Sequence, residues 1–250
     1  MIVVKNAAEL QKIRKSCELS ARTLKLAGER MCAGMSTWEL DRIIREYIER
    51  HGAKPSFLRY RGFKGSACIS LNHELIHGIP SKKKILKDGD IVSVDVGAYL
   101  DGWHGDNAAT FKIGKVSEVA ARLLTVTEEC LYEAIKIAKP GNRIGDISHA
   151  IQTHCESKGF YVVKEYIGHG IGRDLHEDPD IPNFGKPGKG PRLTPGMTIC
   201  IEPMVNQSTS DTKLLNDNWT VIEANGNLSA HFEHTIAITE GQPIILTKLD

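Results

Sequence analysis

The sequence predicts an α+β fold of two similar halves, each placing two helices over one face of a shared, curved antiparallel sheet. Three observations carry this. Amphipathic helical patterns come in pairs, once before residue 52 and again after Ser117. Leu86–Asp106 (LKDGDIVSVDVGAYLDGWHGD) reads as a β-hairpin, with Val and Ile concentrated between Ile91 and Val96 and an Asp101-Gly102 pair of the type I′ kind at its turn. Finally, a shift of 107 positions, Ile13 to Ala120, superimposes one pattern on the other. It lays Leu131 on Leu24, Gly141 on Gly34, Ile151 on Ile44, Gly159 on Gly52 and Glu202 on Asp95. Two helices and a carboxylate-bearing strand in one register indicate an internal duplication. The expected organisation is therefore one domain over residues 1–250, with a first half of 1–110 and a second of 111–250.

Taken in order, Asn6 with Glu9 forms a capping box, and Leu10, Ile13, Cys17, Leu24, Ala27 and Met31 follow at helical spacing towards Gly34. Ser36 with Glu39 is a second capping box, opening a helix whose stripe is Leu40, Ile43, Ile44, Tyr47 and Ile48 and which stops at Gly52. Residues 55–65 read as an aromatic loop, and ACISLNHELIHGIP as one short strand running into His73 and His77. The hairpin comes next, and the second half repeats the plan, ending in the strand patterns LTPGMTICIEP and SAHFEHTIAI.

Composition narrows the function classes. A net charge of +1 and a charged fraction of 25% imply neither DNA nor a membrane as partner; the Lys82-Lys83-Lys84 run is the one basic cluster of note. Six dispersed cysteines without a CxxC pair read as reduced thiols, and the early charges of MIVVKNAAEL are unlike a signal peptide, so a cytoplasmic location is expected.

The chemistry concentrates on the strands. If the Asp101-Gly102 turn sets the register, Gly97 faces Asp106, and Asp95 lies one diagonal step from Asp106 on the same face. Two anions held close in an apolar strand pair repel unless one is protonated or a cation lies between them. Packing the two halves about an approximate two-fold axis would bring Asp95 and Glu202 together, and period-two alternation adds Glu233 beside them. The Gly-rich segment GHGIGRDLHEDPDIPN supplies His169 and His176. Asp95, Asp106, Glu202 and Glu233 with an imidazole from that segment make a thiolate-free set suited to a pair of divalent ions of the Mn, Fe, Co or Zn type, and so to amide or ester hydrolysis.

HGIP, DVGAYLDGWHGD, GHGIGRDLHEDP, LTPGMTICIEPM, DNWTV and LSAHFEHT together resemble the type I methionine aminopeptidases, of the pita-bread fold shared with aminopeptidase P and prolidase. The resemblance spans essentially the whole chain and implies removal of the initiator methionine from nascent polypeptides with a small second residue. It implies that Asp95, Asp106, His169, Glu202 and Glu233 are the metal ligands, that Glu202 is also the general base, and that His77 and His176 hydrogen-bond the scissile amide and the developing oxyanion. It further implies a methionine pocket of Phe57, Tyr60, Phe63, Cys68, His77, Leu175, His176 and Trp219, and a monovalent cation, sodium or potassium, at Asn72, Glu74 and Ser229. Arg61 and Leu175 stand where such relatives often carry histidine and phenylalanine, and Gly97 replaces a threonine common in enterobacterial forms. A chain starting so near its first helix suggests a short bacterial or organellar type. A monomer is expected, with N-terminal methionyl peptides as substrates and a transient ribosome contact as a further partner. The rivals are an X-Pro hydrolase of the same fold, which usually carries an extra N-terminal domain, and a non-catalytic binding module, which would have lost a ligand.

Overall fold

A computed structural model describes residues 1–249; the final residue of the expected domain lies outside the described residues. Its helices are α1 (Ala7–Arg30), α2 (Thr37–Arg50), α3 (Glu118–Ile137) and α4 (Ile144–Ser157). Local chemistry explains their starts. The Asn6 side chain accepts the Glu9 N–H at 3.0 Å while Glu9 reaches back to the Asn6 N–H, and Ser36 and Glu39 do the same for α2. Ser117 Oγ caps α3, and the Asp146 carboxylate accepts the Arg143 N–H at the start of α4.

A nine-stranded sheet lies against these helices, with every pairing antiparallel. Its centre is the hairpin of Ile91–Leu100 and Trp103–Lys112, each ten residues long. The turn places both Asp101 (φ 51) and Gly102 (φ 85) in left-handed backbone, and the register sets Gly97 opposite Asp106, as the turn chemistry predicts. Glu233–Ala237 joins the hairpin on one side and Thr198–Ile201 on the other. Two small three-stranded sheets, one around Met204–Asn206 and one around Val221–Glu223, flank it.

Alternation divides the sheet into a helix-covered face and a functional face. Val92, Val94 and Val96 pack with Leu24, Ala27, Leu40, Ile44 and Ile48, whereas Ile199, Ile201 and Ile236 pack with the apolar faces of α3 and α4. The residues between them, Asp95, Cys200 and Thr235, point the other way. Close approach of α1 depends on Gly105, where a Cβ would stand 2.3 Å from the Cys17 backbone nitrogen. Beside it, Ser16 Oγ donates to the Trp103 carbonyl at 3.0 Å.

The two halves match in detail. α4 lies 107 residues after α2 at both ends, and the pairings Ser36 with Ile85 and Arg143 with Arg192 are related by the same step. Gly34 and Gly141 share φ values of 92° and 91° beyond the ends of α1 and α3.

Residues 67–80 differ from the sequence reading. Cys68–Leu71 and Glu74–Ile76 are separate strands, because Asn72 takes a left-handed φ of 55° and turns the chain. His73 consequently points to solvent. The aromatic loop likewise contains a short strand at Lys54–Pro55 and a 3-10 turn at Tyr60–Gly62.

Candidate metal centre and methionine pocket

The functional face carries a cavity of about 160 Å³. Its lining includes Asp95, Asp106, His169, Glu202 and Glu233, together with His77, His176, Phe57, Tyr60, Phe63, Cys68, Leu175 and Trp219. Every residue expected at the ligand, catalytic and side-chain positions is therefore brought to one place.

Neighbouring strands hold the acidic groups by short bonds. Thr235 Oγ1 donates to the Asp106 carbonyl at 2.7 Å and accepts the Asp106 N–H, tying the hairpin to the Glu233 strand. Thr110 makes the same two-way link with the His231 backbone. The buried Asn183 amide donates to the Glu202 carbonyl at 3.1 Å, just where the Thr198–Ile201 strand ends.

Burial dominates the electrostatics. It pushes Asp95 up to about 6 and raises Asp106, Glu202 and Glu233 well above the carboxylate range, with the neighbouring carboxylates adding to the rise of those three. His169 is lowered to about 3, chiefly by burial, so its 3.6 Å contact with Glu202 is not an ion pair when no cation is present. Asp95 Oδ1, Asp106 Oδ1 and Glu233 Oε1 are buried without a hydrogen-bond partner. Four carboxyls with three orphaned oxygens, plus an imidazole, fit a divalent cation far better than they fit one another. His169 Nδ1 lies 2.8 Å from the Gly170 carbonyl, which puts the proton on Nδ1 and leaves Nε2 as a free lone pair facing the carboxyls. Ligand atoms of Asp106, His169, Cys200 and Glu233 lie within 4.8 Å of one another.

The imidazoles at the cavity are neutral near pH 7. His77 and His176 are both held at about 4, chiefly by burial, with the neighbouring His231 and His176 imidazoles adding to the effect on His77 and the Arg61 charge to that on His176. Tyr60 Oη sits 2.9 Å from His176 Nδ1, and His77 meets the Trp219 ring edge-on at 6.2 Å. Phe57, Phe63, Cys68 and Leu175 form the buried wall, with Ile171 and Cys200 behind. The glycine at 97 belongs to this wall: a Cβ there would stand 2.7 Å from Ser56 Cβ and 2.9 Å from Phe57 Cε1, so a threonine and this placement of Phe57 exclude each other.

Two residues at the centre escaped the sequence reading. Cys200 lies two positions before Glu202, and His231 two before Glu233. His231 is 2% exposed, has no partner on either ring nitrogen and sits 3.6 Å from Glu202 Oε2. The alternation that selected the glutamates would have found both. Asn72, Glu74 and Ser229 do adjoin, with the Ser229 N–H donating to the Asn72 carbonyl, but their side chains are engaged by Asp90, Lys84 and Asn206.

Comparison with known proteins agrees with this geometry. The model of Metallopeptidase family M24 matches residues 11–240. Methionine aminopeptidase 1 of Bacillus subtilis (strain 168) is 52% identical over 249 residues, covering all of both chains. The crystal structure of methionine aminopeptidase from Thermotoga maritima superimposes with a TM-score of 0.98 at 45% identity, again over the whole of both chains. Prolidase from Pyrococcus furiosus is more distant, with a TM-score of 0.81 and 25% identity, and this chain covers 66% of it. The chain has the pita-bread fold and belongs to metallopeptidase family M24, within it to the methionine aminopeptidases.

Proposed function

We propose that this chain hydrolyses the amide bond after an N-terminal methionine, acting on methionyl peptides and nascent chains whose second residue is small. The observation that carries this reading is the single cavity in which a buried acidic cluster adjoins two neutral imidazoles and an apolar, aromatic-edged wall. An unbranched thioether side chain suits that wall.

Asp95, Asp106, His169, Glu202 and Glu233 would hold a pair of divalent ions of the Mn, Fe, Co or Zn class. When bound, such ions lower the pKa of a water and polarise the scissile carbonyl. Glu202, partly open to the cavity, accepts the proton of the attacking water and returns it to the leaving amine. Tyr60 Oη pairs with His176 Nδ1; with the tyrosine as donor, the His176 proton sits on Nε2, where it can be donated to the substrate. His77 is likewise neutral, and the two imidazoles share the scissile amide and the oxyanion that develops from its carbonyl. The confined space past the scissile bond favours a small second residue.

In this reading the whole chain is one monomeric catalytic domain, working in the cytoplasm; among the described residues no helix is long and apolar enough to cross a membrane. A sodium or potassium ion at Asn72, Glu74 and Ser229, supported by their adjacency, and a transient ribosome contact at Lys82–Lys84 complete it. Lys84 pairs with Glu74, while Lys82 lies over the Trp38 ring and keeps its charge; among the described residues neither Lys82 nor Lys83 meets a carboxylate within 4.0 Å.

Release of methionine from Met-Gly-Met-Met, abolished by chelation and restored by Mn, Fe, Co or Zn, tests the reading. Glu202→Gln is expected to lower kcat by about 10²–10⁴-fold. No release with any of the four metals from folded protein would overturn it.

A further inference from the structure

The rim of the cavity carries a charge that the proposed reaction does not use. Arg61 lines the cavity and is exposed. Among the described residues, no carboxylate comes within 4.0 Å of its guanidinium, which instead lies 5.4 Å from the centroid of the Tyr60 ring. A cation–π contact of this kind orients a cation without neutralising it. The backbone of Arg61 is left-handed, at φ 48° and ψ 25°, a conformation disfavoured for any residue with a Cβ. Arg59 shares this handedness at φ 68°. Strain of this kind persists only where the surroundings hold it, and here Arg61 lies over the Tyr60 ring, whose hydroxyl pairs with His176. The charge reaches the site: Arg61 is the second cause, after burial, of the low pKa of His176.

An unpaired arginine on a surface is ordinary, but this one stands where the substrate has to pass. The buried wall of Phe57, Phe63 and Leu175 takes the first side chain, so the rest of the peptide leaves across the exposed rim marked by His176 and Arg61. We infer that Arg61 selects among substrates by charge, favouring peptides with an acidic side chain at the third position and disfavouring basic ones. The inference rests on the proposed aminopeptidase reading and adds a specificity determinant to it.

Amidated Met-Ala-Asp-Gly, Met-Ala-Ser-Gly and Met-Ala-Lys-Gly test it without a competing terminal carboxylate. For the metal-loaded enzyme, kcat/KM should fall in the order Asp, Ser, Lys, by about tenfold from first to last, the scale of one exposed pair made attractive or repulsive. In 1 M KCl, where the Debye length is about 3 Å, the ratio should approach one. Arg61→Gln should flatten the order and Arg61→Glu reverse it. Equal kcat/KM for the three peptides, or an order unchanged in Arg61→Glu, would overturn the inference. Calorimetric affinities of the chelated protein for the same peptides should follow the same order. They decide the inference even without turnover, an absence that would sink the aminopeptidase reading alone.

Discussion

The two halves of the molecule solve one problem with different strands. In the first, Asp95 and Asp106 stand on an unbroken hairpin whose register is set by its own two-residue turn. In the second, Glu202 follows a strand of only four residues, and Glu233 opens one of five. Between them the chain leaves the main sheet: Met204–Asn206 and Ser229–His231 pair in a small sheet with Tyr161–Val162. The continuous half supplies rigidity with short aspartates. The interrupted half uses the longer glutamates and opens room for His231 and for the segment that brings Trp219 to the cavity. The two halves thus match in their helices and differ at the cavity.

The largest test of this comparison is removal of the cation that would join the halves. Burial keeps the Asp106, Glu202 and Glu233 carboxyls protonated well above their usual range, whereas the unfolded chain releases those protons near pH 4. Their stabilising contribution is complete below the unfolded pKa and is lost as pH rises through the raised folded values. Between pH 7 and 8 the histidines are largely neutral in both states, so each of these carboxyls that keeps its proton there makes stability of the chelated protein fall with rising pH. A divalent ion at a hundredfold excess over its Kd should add about 2.7 kcal/mol. Urea unfolding at the two pH values, with and without the ion, measures both; a chelated protein equally stable at each would contradict the buried-acid account.

A smaller effect separates the equivalent positions Gly97 and Met204. Met204 is buried among Leu75, Val163 and Val221, whereas Gly97 lies under Ser56 and Phe57. Gly97→Thr should destabilise by about 1–3 kcal/mol through overpacking and raise KM for methionyl peptides by displacing Phe57. A variant with unchanged urea midpoint and KM would show that Phe57 is not held by this contact.

The smallest effect concerns the equivalent helix starts at Ser36 and Arg143. Ser36 Oγ accepts the Glu39 N–H, so Ser36→Ala should cost about 1 kcal/mol. Arg143 presents no side-chain acceptor to its helix, and Arg143→Ala should cost less. Equal shifts in the urea midpoint would remove this distinction between the halves.

Much of the site was legible because its positions follow from local rules. Asp101-Gly102 dictates the hairpin register, register dictates that Asp95 and Asp106 share a face, and the 107-residue step carries that logic to Glu202. His231 and Cys200 obey the same alternation, yet neither has a turn or repeat partner to draw attention to it. The Asn72 turn was hidden for a different reason. Its left-handed backbone is stabilised by the Ser229 N–H and the Asp90 carboxylate, groups remote in sequence or in the next strand.

By itself the sequence determined the helices, their caps, the hairpin and the identity of the acidic groups, since each depends on neighbours a few residues away. Only the tertiary structure decided which atoms were left without partners, how far burial shifted the carboxyls and imidazoles, and that Phe57 requires a glycine at 97. Those properties depend on how completely water is excluded and on contacts between segments far apart in the chain. Neither is encoded in the spacing of residues along it.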